Sequence, residues 1–253
     1  MAPAEHFPLY FPGDARRAFG AEDVCLRIAH TAGWSNGSRL LELGAGSAGL
    51  FLTSKLGCHA TVVDADDKAL GPLRERAKVA PVSERITVQQ ASPDKLPFED
   101  EEFDGILALG TVALPASVAV KTLRRHLATR GRLALTYPVK VGRYPVKAAL
   151  DHWEARLGEP LLYPRELLQL FEKAGYEPET FETLSDADLD LYYRELEATL
   201  AKQPPAAAAQ VKVLRDEIEL HRGQSGKASV TLALAVGRRK EPGEKPPASR
   251  DGG

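Results

Sequence analysis

Three closely spaced glycines, Gly44, Gly46 and Gly49, follow a short apolar run that contains Glu42. Glycine has no side chain, so a ligand can approach the backbone closely, and the N–H groups at the start of a helix are available to bind it. The next apolar run ends at Asp64, about twenty residues after the first glycine, where a carboxylate can accept both hydroxyls of a ribose. This spacing predicts a site for an adenosine-containing cofactor.

The same glycines also satisfy the G-x-G-x-x-G pattern of dinucleotide-binding folds, so a nicotinamide-dependent oxidoreductase is an alternative. Glu42 favours a different cofactor. An ionised carboxylate in a buried strand costs several kcal/mol unless a cation meets it. The amino group of the methionine part of S-adenosylmethionine is such a cation. The sequence also contains no Tyr-x-x-x-Lys pair of the kind that serves hydride transfer.

Residues 42–49, Glu-Leu-Gly-Ala-Gly-Ser-Ala-Gly, resemble the glycine motif of class I S-adenosylmethionine-dependent methyltransferases, which begins with Asp or Glu. Asp64 resembles the acidic residue of that family's second motif. Residues 96–104, Leu-Pro-Phe-Glu-Asp-Glu-Glu-Phe-Asp, resemble a stretch of its small-molecule methyltransferases, a group that includes quinone-modifying enzymes. The resemblance covers roughly residues 20 to 184 and implies in-line transfer of a methyl group to a small-molecule acceptor, for which the protein mainly aligns the reactants.

The resemblance also implies a set of cofactor-binding residues at the ends of the first four strands: Glu42, Gly44, Ala45, Gly46, Asp64, Ala65, Ser92 and Gly110. The adenine end departs from the family pattern. The family's Gly-Asp-Ala falls on Ala91-Ser92-Pro93, and proline has no N–H to donate to an adenine nitrogen. Either Asp94 or a shifted backbone compensates, or the cofactor binds weakly.

A non-catalytic methyltransferase-like binding domain is therefore a further alternative. Loss of one or two neutral hydrogen bonds costs about 1 to 3 kcal/mol, which weakens binding without necessarily abolishing turnover.

Acceptor-binding groups in this family come from the N-terminal segment and from the loops after the fourth and fifth strands. Tyr137 is the candidate catalytic residue, and Tyr10 and Tyr137 are the candidate substrate-binding residues. Residues 109–115 lack the Asn/Asp-Pro-Pro-Tyr/Phe signature that holds the exocyclic amines of bases, which disfavours methylation of DNA.

From Arg39 onward, short apolar runs alternate with amphipathic stretches, and this alternation predicts βαβ units with a parallel sheet. The predicted strands are Arg39–Leu43, His59–Asp64, Ile86–Gln90, Gly105–Leu109, Arg132–Tyr137, Thr180–Leu184 and Ala228–Val236. The predicted helices are Ala48–Leu56, Asp67–Val79, Ser117–Leu127, Arg165–Ala174, Asp188–Lys202 and Ala206–His221. We expect a Rossmann-like three-layer α/β sandwich whose seven-stranded sheet is mostly parallel, with the last strand antiparallel and a helical insertion between the last two strands.

The predicted domains are an N-terminal helical arm or lid (1–38), a methyltransferase domain (39–238) with its insertion at 185–227, and a disordered tail (239–253) of low apolar content. The insertion either covers the active site, forms a homodimer contact or packs on the sheet edge. The charged run that includes Asp216, Glu217 and Glu219 is expected on a solvated helix face.

Composition narrows the class of protein further. The 253 residues include 33 basic and 35 acidic side chains, a balance that gives no reason to expect nucleic acid as a partner. The two cysteines, Cys25 and Cys58, belong to no metal-binding pattern, so we expect no metal and a reducing compartment. No signal peptide is recognisable, and no apolar run reaches the roughly 18 residues of a membrane span. A cytoplasmic protein is the expectation.

Overall fold

Seven strands form one sheet in the computed structural model, which describes residues 22–109, 114–185, 190, 193–194, 196–198, 200–201, 208–223, 229–241 and 243–244. The strands are β1 (Arg39–Leu43), β2 (His59–Asp64), β3 (Ile86–Gln90), β4 (Phe103–Ala108), β5 (Leu127–Lys140), β6 (Tyr176–Thr183) and β7 (Val230–Arg239). Their order across the sheet is β3-β2-β1-β4-β5-β7-β6.

The strand directions give the sheet a single reversed member. β1 to β5 pair in parallel, whereas β7 is antiparallel to both β5 and β6. This arrangement confirms the predicted Rossmann-like fold with an antiparallel last strand. The chain order reverses where β1 pairs with both β2 and β4, and open α/β sheets bind ligands outside the carboxyl ends of the strands at such a point.

Helices flank the sheet and bury most of its strands. They are α1 (Glu22–Ala32), α2 (Ala48–Leu56), α3 (Asp67–Val79), α4 (Ala116–His126), α5 (Lys147–Leu157), α6 (Pro164–Lys173) and α7 (Ala208–Arg222), with a 3₁₀ turn at Ser83–Arg85. No helix among the described residues is both long and apolar enough to cross a membrane.

The predicted boundaries of helices and strands agree with the observed ones where the local sequence pattern determines them. They differ where pairing with a distant strand determines them. The predicted bounds of β1, β2, β3, α2 and α3 are confirmed. β5 runs from Leu127 to Lys140, and its extension past Tyr137 follows the pairing with β7, which spans Arg132 to Lys140, so Tyr137 lies within the strand rather than at its end. Helix α5 was not predicted, although Ala149, Trp153 and Leu157 recur every four residues on its buried face.

The insertion packs onto the core rather than standing away from it. Helical residues Tyr193, Leu196 and Leu200 and the α7 residues Leu214 and Ile218 are buried and belong to the main hydrophobic cluster. Helix α7 contacts α5. The structure therefore shows that the insertion packs on α5 and the core, whereas a cover over the active site and a homodimer contact both stay predictions.

One prediction for the insertion is wrong. Glu217 is 1% exposed instead of lying on a solvated face. It pairs with Arg156 of α5, accepts a hydrogen bond from the Tyr193 hydroxyl at 3.1 Å, and lies 3.7 Å from His152 Nε2. The partners belong to separate elements, so a charge pattern within α7 could not reveal them.

The carboxyl-terminal end of the predicted domain also differs from expectation. β7 extends to Arg239, and Arg238 pairs with Glu177 and Glu244, so the chain is ordered beyond the predicted boundary at 238. Residues 1–21 of the predicted arm and 245–253 of the predicted tail lie outside the described residues.

Candidate cofactor and acceptor site

The glycine turn joins β1 to α2 at the carboxyl edge of the sheet, beside the reversal of chain order. Gly44 has φ of 93°, a left-handed conformation that favours glycine. Its N–H donates to the carbonyl of Val63 on β2 at 2.7 Å, and the N–H of Gly46 donates to the carbonyl of Gly44 at 2.7 Å. The turn is thus fixed to the neighbouring strand by its backbone.

The carboxylate of Glu42 lies under the first turn of α2. The residue is 2% exposed, and its two oxygens accept hydrogen bonds from the N–H groups of Ala48 at 3.2 Å and Gly49 at 2.7 Å. We expected a ligand cation to compensate this buried negative charge. The positive amino-terminal end of α2 already provides part of that compensation. A direct contact between Glu42 and the cofactor stays a prediction.

The second and third glycines leave room for this carboxylate. A Cβ atom on Gly46 would lie 1.9 Å from Glu42 Oε1. A Cβ atom on Gly49 would lie 3.0 Å from Glu42 Oε2 and 3.1 Å from the Cβ of Ala60 on β2. The three glycines therefore serve three purposes: a left-handed turn, space for a buried acid, and close packing of helix on strand.

Asp64, at the end of β2, faces the same turn. Its Oδ2 accepts from the N–H of Ala45 at 3.0 Å and its Oδ1 from the N–H of Asp66 at 2.8 Å. Burial raises the pKa of this carboxyl, and hydrogen bonds from the backbone N–H groups of Asp66, Ala45 and Ala65 only partly offset the effect. Each oxygen keeps a second lone pair, so the carboxylate can still accept hydroxyl donors. The neighbouring carbonyl of Ala65 accepts from the Gln90 side chain at 2.8 Å.

On the predicted adenine side, Ser92 follows β3. Its hydroxyl donates to the carboxylate of Asp94, the residue that we considered as a substitute for the family's aspartate. The N–H of Ala91 donates to the carbonyl of Asp64 at 3.0 Å, which joins this segment to β2. Of the other predicted site residues, Gly110 and Tyr10 lie outside the described residues.

Tyr137 belongs to a second polar cluster at the carboxyl edge, centred on Glu159 in the connection between α5 and α6. The Tyr137 hydroxyl donates to Glu159 Oε1 at 2.6 Å, and the same oxygen accepts from the N–H of Ala116 at 2.6 Å. Glu159 Oε2 accepts from the Ser117 hydroxyl at 2.7 Å. Burial, together with the adjacent carboxylate, raises the pKa of Tyr137, so the phenol is neutral at physiological pH.

Sequence reasoning missed Glu159. Glu159 caps the start of α4, although it lies 43 residues after Ala116 in the chain. The preceding Gly158 indicates only the end of α5. Because the contact is tertiary, no local pattern could have found it.

Comparison with known proteins gives this site a class. Residues 40–131 match the family described as "Methyltransferase domain". The glycine/sarcosine/dimethylglycine N-methyltransferase of Actinopolyspora halophila is 27% identical over 207 residues, which are 78% of this chain and 36% of that protein's length. The chain thus spans well under two thirds of this relative.

Two solved structures are similar in fold. A S-adenosylmethionine-dependent methyltransferase from Geobacter sulfurreducens, in complex with S-adenosylhomocysteine, has a TM-score of 0.68 at 16% identity, covering 85% of this chain and 90% of that chain. The cyclase SpnF has a TM-score of 0.69 at 19% identity, covering 92% of this chain and 87% of that chain.

Residues 40–131 thus match a methyltransferase domain, and the fold is that of the Geobacter sulfurreducens methyltransferase structure. The described residues fit S-adenosylmethionine, the cofactor predicted from the sequence: the turn is half-buried at Gly46 and Ser47, and Asp64 offers acceptor lone pairs beside it. The subgroup indicated by residues 96–104 stays a prediction.

Proposed function

We propose that this protein transfers the methyl group of S-adenosylmethionine to a small-molecule acceptor. The observation that carries the proposal is the buried carboxylate of Glu42, which takes the N–H groups of Ala48 and Gly49 at the start of α2. A dinucleotide-binding fold uses such a helix start for the pyrophosphate. Here the negative charge comes from the protein itself.

This arrangement argues against a nicotinamide-dependent enzyme. A pyrophosphate approaching Gly46 would meet Glu42 Oε1, since that oxygen occupies the space beside the glycine. Like charges at such short range in a partly desolvated site repel strongly. A cofactor with an ammonium group near this position is attracted instead.

The chain's own residues then have distinct tasks. Asp64 holds the ribose hydroxyls, the backbone from Gly44 to Gly46 lies against the methionine part, and Ser92 with Asp94 faces the adenine. Gly110 follows β4 and is the predicted contact beyond that strand. The bound cofactor supplies an electrophilic methyl group, so the protein mainly orients the acceptor and excludes water.

The Actinopolyspora halophila relative is named for glycine and its methylated forms, which supports a small acceptor. A transfer assay with S-adenosylmethionine labelled in the methyl group tests the proposal. Label in a small-molecule fraction, dependent on active protein, is the expected result. Binding of S-adenosylhomocysteine without transfer to any small molecule would instead support the non-catalytic binding domain.

A further inference from the structure

A groove of about 660 Å³ lies between the first half of α5 and the second half of α7. Small-molecule sites in proteins typically enclose about 300 to 1,000 Å³, so a ligand has room here. The residues that line the groove include Ala148, Asp151 and His152 from α5 and Asp216, Glu219 and Leu220 from α7. In both helices these residues follow a spacing of i, i+3 and i+4, so one face of each helix supplies one wall.

Polar contacts hold both walls of the groove in place. The N–H of Val146, directly before α5, donates to the hydroxyl of Ser229 at 2.8 Å, which ties the start of α5 to the chain that enters β7. Glu217 of α7 pairs with Arg156 of α5 and accepts a hydrogen bond from the Tyr193 hydroxyl. A ligand therefore meets a groove that is already formed, which reduces the conformational freedom lost on binding.

Part of the lining is apolar. Val146, Ala149 and Leu220 all line the groove, and Ala149 is 3% exposed. An alkyl chain that lies against these side chains leaves water, and each methylene group that is fully buried raises affinity by up to about fourfold. The groove thus favours a ligand with an apolar portion.

The charged part of the lining is acidic. Asp151, Asp216 and Glu219 line the groove, and no lysine or arginine among the described residues does so. Lys147 pairs with Asp151 at 2.6 Å and Lys212 pairs with Asp216 at 2.7 Å, but these lysine side chains are 85% and 74% exposed. Exposed pairs of this kind contribute little to stability, so a ligand cation can replace the lysines.

His152 gives an indication of an occupant that is independent of the acidic side chains. Its ring lines the groove, and its Nε2 is buried without a hydrogen-bond partner among the described residues. Glu217 Oε2 lies 3.7 Å from this nitrogen, which is beyond hydrogen-bond distance. Buried polar atoms in folded proteins usually have a partner, so an unsatisfied one indicates a missing water, ion or ligand.

We propose that this groove binds an amphipathic organic cation. The ammonium group of the ligand meets the carboxylates of Asp151, Asp216 and Glu219, and its alkyl chain lies against the apolar part of the lining. None of the described residues that line the groove belongs to β1, α2 or β2. The site is therefore separate from the glycine turn, and the proposal does not depend on the proposed methyl transfer.

Three probes with the same six-carbon chain separate the contribution of charge from that of the chain: hexylammonium, hexanol and hexanoate. Each is titrated by calorimetry into wild type, Glu219→Gln and the double variant Asp216→Asn/Glu219→Gln. Glu75→Gln on α3 is the matched control, because Glu75 is 73% exposed and pairs with Lys78 of its own helix, as Asp216 does with Lys212. Amide chemical shifts measured by NMR locate the bound probe.

We expect wild type to bind hexylammonium saturably, with shift changes in α5 and α7, and to bind hexanol and hexanoate more weakly. Glu219→Gln should weaken hexylammonium binding by about 1.5- to 5-fold, the usual contribution of an exposed ion pair. The double variant should lose more, and Glu75→Gln should keep the wild-type affinity. Higher ionic strength should also weaken binding, because salt screens exposed charges.

Several results would overturn this site. They are no saturable binding of hexylammonium by wild type at millimolar concentration, equal affinity for hexanol, wild-type affinity in the double variant, and shift changes confined to the glycine turn. If the double variant fails to fold, the comparison of the three probes on wild type and Glu219→Gln decides. These titrations contain no S-adenosylmethionine, so their failure leaves the proposed function standing, and a protein that fails to bind S-adenosylhomocysteine can still bind hexylammonium here.

Discussion

Glu42 and Asp64 are acidic residues at the ends of neighbouring strands, but their surroundings favour different functions. Glu42 is buried beneath α2 and shapes the turn from inside. Asp64 is half-buried, shares its oxygens with two backbone N–H groups and faces the carboxyl edge. We therefore assign turn geometry to Glu42 and ribose binding to Asp64.

Asp64 gives cofactor binding a pH dependence. The ionised carboxylate accepts hydroxyls, so affinity falls as pH drops through its pKa, which burial places above the ordinary 3.8. We expect the loss of S-adenosylhomocysteine affinity in acid to begin at higher pH than an exposed aspartate would give. Asp64→Asn should weaken binding by about 1.5 to 3 kcal/mol at neutral pH and remove this pH dependence. Calorimetry at several pH values measures both proteins. If wild type and Asp64→Asn lose S-adenosylhomocysteine affinity in the same way as pH falls, Asp64 does not bind the ribose.

Gly46 should tolerate no side chain. In Gly46→Ala the new methyl group displaces Glu42 Oε1 and breaks buried hydrogen bonds to α2, at about 1 to 3 kcal/mol each. We expect a lower melting temperature and weaker S-adenosylhomocysteine binding. Gly223→Ala is the control, since the nearest neighbour of its added Cβ is the Leu220 carbonyl oxygen at an ordinary contact distance of 3.5 Å, and we expect little change in stability. Equal effects of the two substitutions would refute our interpretation of Gly46.

Among the elements, α5 and the insertion are joined by a buried ion pair. Although burial alone would raise the pKa of Glu217, Arg156, His152 and Tyr193 together hold it below its ordinary 4.5. A group whose folded pKa is lowered stabilises the fold above its unfolded pKa, and this contribution is lost as pH falls through the folded value. Glu217 should therefore matter at neutral pH and cease to matter in acid.

Glu217→Gln should lower the free energy of unfolding by about 3 to 5 kcal/mol at pH 7, because Arg156 is left buried without its partner. The exposed neighbour Glu219→Gln is the control and should change stability little. Urea unfolding of both variants at neutral and acidic pH measures the difference. A loss that is no smaller in acid would contradict the assigned ionisation.

The segment at residues 96–104, whose family resemblance stays a prediction, has contacts that the resemblance did not indicate. Phe98 packs edge-on against Phe103 with ring centroids 5.0 Å apart. The acidic residues that follow it pair with basic residues of other elements, Asp100 with Arg125 and Glu101 with Arg239. These ion pairs join the β3–β4 connection to α4 and β7. The resemblance did not indicate such a structural role.

For the whole molecule, sequence predicted what local periodicity encodes. The bounds of β1, β2, β3, α2 and α3, which follow from short apolar runs alternating with amphipathic stretches, were confirmed. The extent of β5 depends on β7, about a hundred residues later, and the burial of Glu217 and the role of Glu159 depend on contacts between separate elements. The predicted cofactor-side residues Glu42, Gly44, Gly46 and Asp64 lie on one βαβ unit, so a local pattern could indicate them, whereas Ser92 and Gly110 follow later strands. No local pattern indicated Glu159 on the acceptor side.

We propose that the glycine turn binds S-adenosylmethionine and not a dinucleotide. Calorimetric titration of the whole chain with S-adenosylhomocysteine and, separately, with NADH tests it most directly. We expect saturable binding of one S-adenosylhomocysteine per chain and no binding of NADH, because Glu42 already occupies the helix start. If S-adenosylhomocysteine does not bind at millimolar concentration, or if NADH binds saturably, the turn does not have the cofactor preference that we propose.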